Sequence, residues 1–375
     1  MSNQATIEEA FEFVRNGASI KQFDGAAGVP ITRIETIWNS TIDNQRFGYA
    51  NIENSDEYKS HLLKDGDILM SHINSPKHLG KCAIYKCNPR TLIHGMNLLN
   101  LRPNKKLLSP QFAFYFFGSN AFKEAIAKIS NQSVNQASFS TTSLKKLKIP
   151  LPPLAEQQKI AAILDAADSL RQKDQQLVER YTALSQSLFL EMFGDPVTNP
   201  MGWLSVNWED VLTIKNGKNQ CKVVNSEGLY PIYGSGGIMG FADDYLCEAG
   251  TTVIGRKGSI NKPIYVKTRF WNVDTAFGLC AGDNLNSIFL YYFCIKFNFL
   301  KLNKATTLPS LTKTDLLKIT MPLPPMNLQN QFYERIQLIE AQKQQAKLSL
   351  AKSEALFTSL LQRAFTGELT AKLVA

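Results

Sequence analysis

Two stretches of this chain place apolar residues at alternating spacings of three and four, the pattern of helices that pack on one another. In the stretch that begins at Leu154, one row is Ile160, Ala167, Asp174, Tyr181 and Leu188, and the other is Ile163, Leu170, Leu177 and Leu184. In the later stretch the rows are Phe332, Ile339, Ala346, Ser353, Leu360 and Ile336, Lys343, Leu350, Phe357, Ala364. Some five heptads predict two helices of roughly 40 residues, about 60 Å long at 1.5 Å per residue. Pro152-Pro153 and Pro324-Pro325 mark their starts, because proline lacks an amide donor yet suits a first helical turn. Gly194 with Pro196 ends the first helix, and Gly367 the second.

Elsewhere the apolar runs are short and bounded by turns. Ile68-Leu69-Met70 follows Asp65-Gly66-Asp67, and Cys82-Ala83-Ile84-Tyr85 follows Gly80, as strands do. Phe112–Phe117 and Ala121–Ile129 read as helical. Ser138 to Ser143 and Thr312-Lys313-Thr314-Asp315 predict short helices, the latter with a capping-box spelling. Leu147, Ile149 and Leu151 then alternate as a strand entering the prolines.

These features come twice. Pro150-Leu151-Pro152-Pro153 returns as Pro322-Leu323-Pro324-Pro325, an offset of 172 residues that holds to Phe193 and Phe365. Asn16-Gly17 is matched by Asn216-Gly217, Pro30-Ile31 by Pro231-Ile232, and Phe112–Phe116 by Phe289–Phe293. The chain is therefore expected to be α+β with a pseudo-twofold plan. Two mixed α/β globular domains (1–150 and 197–322) are separated by two long antiparallel coiled-coil helices (151–196, and 323–375 with its tail). A twofold relation makes facing residue numbers sum to about 519, which predicts a register-setting Asp174–Lys343 pair at the seam.

The net charge of +9 divides unevenly. Residues 1–150 hold 18 basic against 12 acidic groups and 201–322 hold 13 against 9, whereas 151–200 hold 4 against 7. The surplus lies on the two globular segments, which suits a polyanion partner. Six cysteines (Cys82, Cys87, Cys221, Cys247, Cys280, Cys294) show no pairwise rhythm, the start is polar, and no apolar run approaches ~18 residues. Reduced thiols in a cytoplasm are the expectation.

No constellation looks catalytic. In Gly234-Ser235-Gly236-Gly237-Ile238-Met239-Gly240 a methionine takes the place of a third glycine, and no P-loop spelling exists. His61, His72, His78 and His94 with Cys82 and Cys87 lack zinc-ligand spacing, so no metal is expected. Asp43 with Glu57-Tyr58-Lys59 imitates a nuclease trio but has no counterpart in the second half. What remains is a set of basic, glycine-punctuated loops. Candidate DNA contacts are Lys21, Arg46, Lys77, His78 and Lys81 in the first half, and Lys218, Lys222, Arg256, Lys257 and Lys262 in the second.

Ile149-Pro150-Leu151-Pro152-Pro153-Leu154-Ala155-Glu156-Gln157-Gln158, Met192-Phe193-Gly194-Asp195-Pro196, Ala305-Thr306-Thr307-Leu308-Pro309-Ser310-Leu311, Ala364-Phe365-Thr366-Gly367-Glu368-Leu369 and the segment Tyr230–Gly240 together give a family likeness. The chain resembles the specificity (S) subunits of type I restriction-modification systems over essentially its whole length. The second copy departs at Met326-Asn327-Leu328-Gln329-Asn330. The resemblance implies two target recognition domains, each contacting half of a split double-stranded DNA site, with the helices as a ruler and as a docking surface for two modification (methyltransferase) subunits. Restriction subunits would join that core. S-adenosylmethionine, ATP and Mg²⁺ would reside in those partners and none in this chain, which would not itself be an enzyme. Half-sites read from one face of B-DNA lie about 34–36 Å apart, within reach of such helices. Two other readings compete: a coiled-coil scaffold or adhesion protein that never touches DNA, and a stand-alone DNA-modifying enzyme.

Overall fold

The computed structural model describes residues 4–23, 28–52, 55–86, 91–134, 136–305, 307–366 and 368–371. Cys87, Thr306 and the expected helix stop Gly367 lie outside them. The principal helices are α1 (Pro110–Gly118), α2 (Asn120–Ile129), α3 (Thr141–Lys145), the long α4 (Leu154–Phe193), α5 (Ser287–Lys296), α6 (Lys313–Leu317) and the long α7 (Met326–Thr366). Two compact units form, Met1–Asp174 with Ser349–Ala375 and Gln175–Leu348, so each unit takes one body and half of each long helix.

In the first unit β1 (Gln4–Thr6), β2 (Phe11–Asn16), β3 (Ile68–Ser71), β4 (Cys82–Ile84), β5 (Leu98–Pro103) and β6 (Lys148–Pro150) carry the body. The antiparallel sheet runs β4-β3-β5-β2, and β6 pairs with β1 on the way into the prolines. Aromatic side chains from α1 and α2 (Phe112, Phe116, Phe117, Phe122) close the core against Ile160 and Leu164 of α4 and Ala364 of α7. The Phe365 ring packs tilted against Phe112 at 5.2 Å and edge-on against Phe116 at 5.5 Å, so the end of α7 is clamped to the helix that begins at Pro110.

The second unit repeats this frame with β7 (Ser205–Asn207), β8 (Leu212–Asn216), β9 (Tyr230–Gly234), β10 (Gly237–Ala242), β11 (Thr251–Gly255), β12 (Ile264–Val266), β13 (Trp271–Asn272), β14 (Ala276–Ala281) and β15 (Thr320–Pro322). Its main sheet runs β8-β14-β11-β12, which is the first unit's order read from β2 to β4. A second sheet, β10-β9-β13, stands beside it. Phe193, at the end of α4, packs on Phe289 at 4.8 Å and Phe332 at 5.2 Å. Offset dispersion and ring-quadrupole contacts of this kind contribute about 0.5–1.5 kcal/mol per pair beyond area burial.

The seam of α7 buries Phe332, Ile336, Ala346, Ser353 and Ala364, with Ile339, Lys343, Leu350, Phe357 and Leu360 half-buried. On α4 the row with Ile160, Ala167 and Asp174 is inward, and Tyr181 and Leu188 are half-buried. The other expected row is displaced by one residue. Leu170, Leu177 and Leu184 are 46, 40 and 49% exposed, Ile163 is half-buried, and Leu164 and Ser185 are buried instead. The polar residues can occupy that row because each finds a local partner. The Ser185 hydroxyl donates to the Tyr181 carbonyl, and Arg171 pairs with Asp168 at 2.6 Å while lying over the Phe357 ring.

The Asp174–Lys343 pair is not made. Buried Asp174 accepts from the Ser349 hydroxyl at 3.1 Å, six residues beyond Lys343, and Lys343 pairs with Glu340 of its own helix at 3.3 Å. Within the first unit, α7 is positioned by Phe357 against Tyr115 and by Phe365 against Phe112, two ring pairs of about 0.5–1.5 kcal/mol each beyond their area burial, against about 0–1 kcal/mol for a single exposed ion pair.

Candidate nucleic-acid interface

Each unit hangs its cations on the same connection of the shared frame. In the first, the β3–β4 connection carries Lys77, His78 and Lys81. The tight turn Pro76–His78 is closed by the His78 amide donating to Ser75, and Gly80, at φ +74°, turns the chain back so that its amide reaches the Ser71 carbonyl. Lys77 and Lys81 are exposed and His78 is half-buried. Lys77 and Lys81 line a groove of about 1090 Å³ together with Lys86, Lys123, Asn39, Ser40 and Asn44. On the groove's helical side the acids are already engaged: Asp165 accepts from Gln111 at 2.7 Å and from the Tyr115 hydroxyl at 2.6 Å, and Asp168 holds Arg171. Burial, and then that bond to Asp165, push the Tyr115 hydroxyl well above its ordinary value.

Asn39 and Ser40 form the tip of a hairpin between Ile37–Trp38 and Thr41–Ile42, both at positive φ (48° and 60°), as a primed turn requires. Sequence reasoning missed this tip. The Asn-Ser dipeptide between two β-branched or aromatic pairs was the available signal. Trp38 is half in solvent, with the Arg46 guanidinium 4.0 Å over its ring and Arg46 Nε held by Asp43 at 2.9 Å. Arg46 is thus a braced side chain rather than a free one. Lys21 is exposed beside Phe23, outside the groove's lining.

In the second unit the β11–β12 connection carries Arg256, Lys257 and Lys262, all exposed. Its backbone is fixed: the Arg256 amide donates to Thr275, the Leu311 amide to the Arg256 carbonyl, and the Gly258 amide to Pro309. A backbone fixed in this way presents exposed cations, which suits phosphate or base-edge contact. Lys218 and Lys222 lie in the neighbouring turn, also exposed. The turn is held in by Gly217, where an added Cβ would sit 1.7 Å from the Val273 carbonyl oxygen. Gly17 is in the same position against Gly95, at 2.0 Å.

The histidines do not gather into a ligand set, and among the described residues no group of three or more His, Cys, Asp or Glu is placed to hold a metal. His94 is buried with Nε2 on the Leu98 carbonyl, and burial pushes its pKa down to about 4. Burial also pushes the Cys82 and Cys247 thiols up to about 12, which keeps them protonated. Among the described residues no helix is long and apolar enough to cross a membrane.

A family model described as the type I restriction modification DNA specificity domain matches twice, over residues 3–180 and 200–349. The chain belongs to this specificity family. Each match takes in one body with most of the long helix that follows it. A relative from Methanocaldococcus jannaschii, named a putative type I restriction enzyme MjaX specificity subunit, is 32% identical over 402 aligned residues, covering 98% of this chain and 93% of its own. The type I restriction enzyme EcoKI specificity subunit of Escherichia coli is 27% identical over 198 residues, 51% of this chain and 42% of that protein. The crystal structure of the type I restriction-modification S subunit from M. genitalium shares the fold with a TM-score of 0.64, at 18% identity over 97% of this chain and 96% of its own.

Proposed function

We propose that this chain is the DNA-reading subunit of a type I restriction-modification complex, with one body per half of a split, asymmetric site. The observation that carries this reading is the placement of both cation clusters on the equivalent connection, β3–β4 in one unit and β11–β12 in the other. A common frame aims the loops, while unlike residues on them (Lys77, His78 and Lys81 against Arg256, Lys257 and Lys262) read unlike base pairs. The membership of the specificity family supports it, as does the net positive charge of both bodies.

In this reading the chain contributes recognition and no bond-breaking step. The long helices carry two modification subunits, to which restriction subunits are added, and S-adenosylmethionine, ATP and Mg²⁺ are held by those partners in the cytoplasm. A solved structure that resembles this chain (TM-score 0.54, 18% identity) is itself described as concerning complex assembly of the type I R-M system. The test is to select duplexes from a randomised library with the full chain and modification subunits, then to exchange residues 1–150 for the same segment of a relative. Selection of a two-part site, of which only one part changes on exchange, is the expected result. A site that changes throughout, or the absence of any selected sequence, defeats the reading.

A further inference from the structure

The second unit exposes apolar side chains beside its basic loop. Ile238 and Met239 of β10 are 59 and 63% exposed, next to the turn at Ser235-Gly236. The Met239 thioether lies along the hairpin, its sulfur 2.5 Å from where a Cβ on Gly234 would stand, which leaves Ile238 the freer of the two. Ile232 pairs with Gly240 and Tyr233 with Ile238, so Met239 is the extra residue of a bulge, a device that re-aims a side chain at a strand edge. β10 is the outer strand of its sheet, and the backbone that runs along it, from Val223 to Gly228, meets Phe241 to Asp243 rather than the tip.

One basic loop adjoins this tip, and two lysines lie farther off along the same sheet. The Arg256–Ser259 loop lies against the turn, with the Gly258 Cβ position 3.8 Å from the Ser235 hydroxyl. Lys218 sits beside the sheet, its carbonyl accepting from Trp271 Nε1 at 3.0 Å. Lys222 belongs to the turn whose Val223 carbonyl takes the Asp243 amide. Of the acids nearby, Asp243 and Asp244 are at the far end of β10, with Asp243 engaged by Asn225, and exposed Asp274 lies between Val273 and Thr275 beside the basic loop. No acidic residue lies between Tyr230 and Ala242.

We propose that the β9–β10 hairpin enters the major groove of the half-site read by this unit, and that Ile238 and Met239 pack on thymine C5-methyl groups. This rests on the DNA-reading function proposed above. A two-stranded ribbon fits a groove about 12 Å wide, and aliphatic contact to the thymine methyl is the apolar part of the groove's code. The exposed Arg256 and Lys257 on the loop against the turn suit phosphates beside the groove, which an apolar protein partner would not supply.

Deoxyuridine lacks only that methyl group, so it provides the test. The full chain with modification subunits is bound to its selected duplex and to copies in which each thymine of the second half-site is replaced in turn by deoxyuridine. One or two positions should lose about fourfold in affinity, the scale of one buried methyl group. Ile238→Ala/Met239→Ala should bind the thymine duplex correspondingly less well and no longer distinguish thymine from deoxyuridine, with its circular dichroism unchanged. A double variant that keeps the discrimination, a wild type that never shows it, or a second half-site without thymine each overturns the proposal while leaving sequence selection intact. Unchanged DNA binding with loss of a modification subunit would instead make the hairpin a protein-docking surface. If the wild type selects no sequence, the DNA-reading function falls first.

Discussion

Gln157 and Gln329 stand 172 residues apart and make the same hydrogen bonds in their separate units. The Gln157 carboxamide oxygen accepts the Ser109 amide at 2.8 Å, and its nitrogen donates to Leu107 at 2.9 Å and Pro152 at 2.8 Å. Gln329 accepts the Asn286 amide at 2.8 Å and donates to Asn284 at 3.3 Å and Pro324 at 2.8 Å. Both side chains are fully buried. Each ties the start of a long helix to the residue that caps the aromatic helix of its body.

Truncating either glutamine leaves buried backbone donors and acceptors unpaired, at about 1–3 kcal/mol each. Gln157→Ala and Gln329→Ala should each lower stability by roughly 2–4 kcal/mol, read from urea unfolding. A loss under about 0.5 kcal/mol would show that water replaces the side chain at no cost.

The displaced seam on α4 separates two leucines by their burial alone. Leu164→Ala should cost about 2–4 kcal/mol, because it opens a cavity in the first unit's core. Leu177→Gln should cost no more than about 0.5 kcal/mol, as a surface substitution does. The same unfolding measurement distinguishes them, and equal losses would restore the unshifted row.

A double-mutant cycle tests the register. Asp174→Ala with Ser349→Ala should show a coupling of about 1.5–3 kcal/mol, the size of a hydrogen bond to a charged acceptor, and Asp174→Ala with Lys343→Met should show almost none. Strong coupling of Asp174 to Lys343 would contradict the observed partners.

Acid should loosen the first unit. Burial holds His94 neutral, with its pKa near 4, and lowers His61 and His72 as well. The unfolded chain binds the proton first as pH falls below the ordinary value of about 6.5, so the stability due to His94 is intact above that value and declines towards pH 4. At pH 5 the loss should be on the order of 2 kcal/mol relative to pH 7, and His94→Gln should flatten the profile. Stability that is level between pH 7 and 5 would refute the buried neutral state.

Arg256→Ala should weaken selection at the second half-site alone, by about 1–3 kcal/mol if the guanidinium reads a base edge. Lys81→Ala should reduce affinity for all duplexes alike and shrink the salt dependence by about one ion. Binding measured against half-site variants over a salt series separates the two roles.

How far each feature could be read from the chain depended on the range of the interaction behind it. The repeat, the proline starts, the two long helices and the capped turn at Thr312, whose hydroxyl does take the Asp315 amide at 3.1 Å, all follow from local spacing. The capping carboxylate shows the limit: Asp315 receives the Thr312 hydroxyl and Lys304 in place of the backbone amide. The cation clusters were visible as residues, yet only chain reversal at Gly80 and the clamp on Arg256 put them on equivalent connections.

By itself the sequence determined the periodic elements, the doubling and the distribution of charge, because these depend on residues a few positions apart. Tertiary structure alone decided which face of α4 turns inward, what Asp174 bonds and which exposed tips meet solvent. Those outcomes rest on contacts between distant segments, where a clamped aromatic such as Phe365 on Phe112 outweighs what any local leucine or lysine prefers.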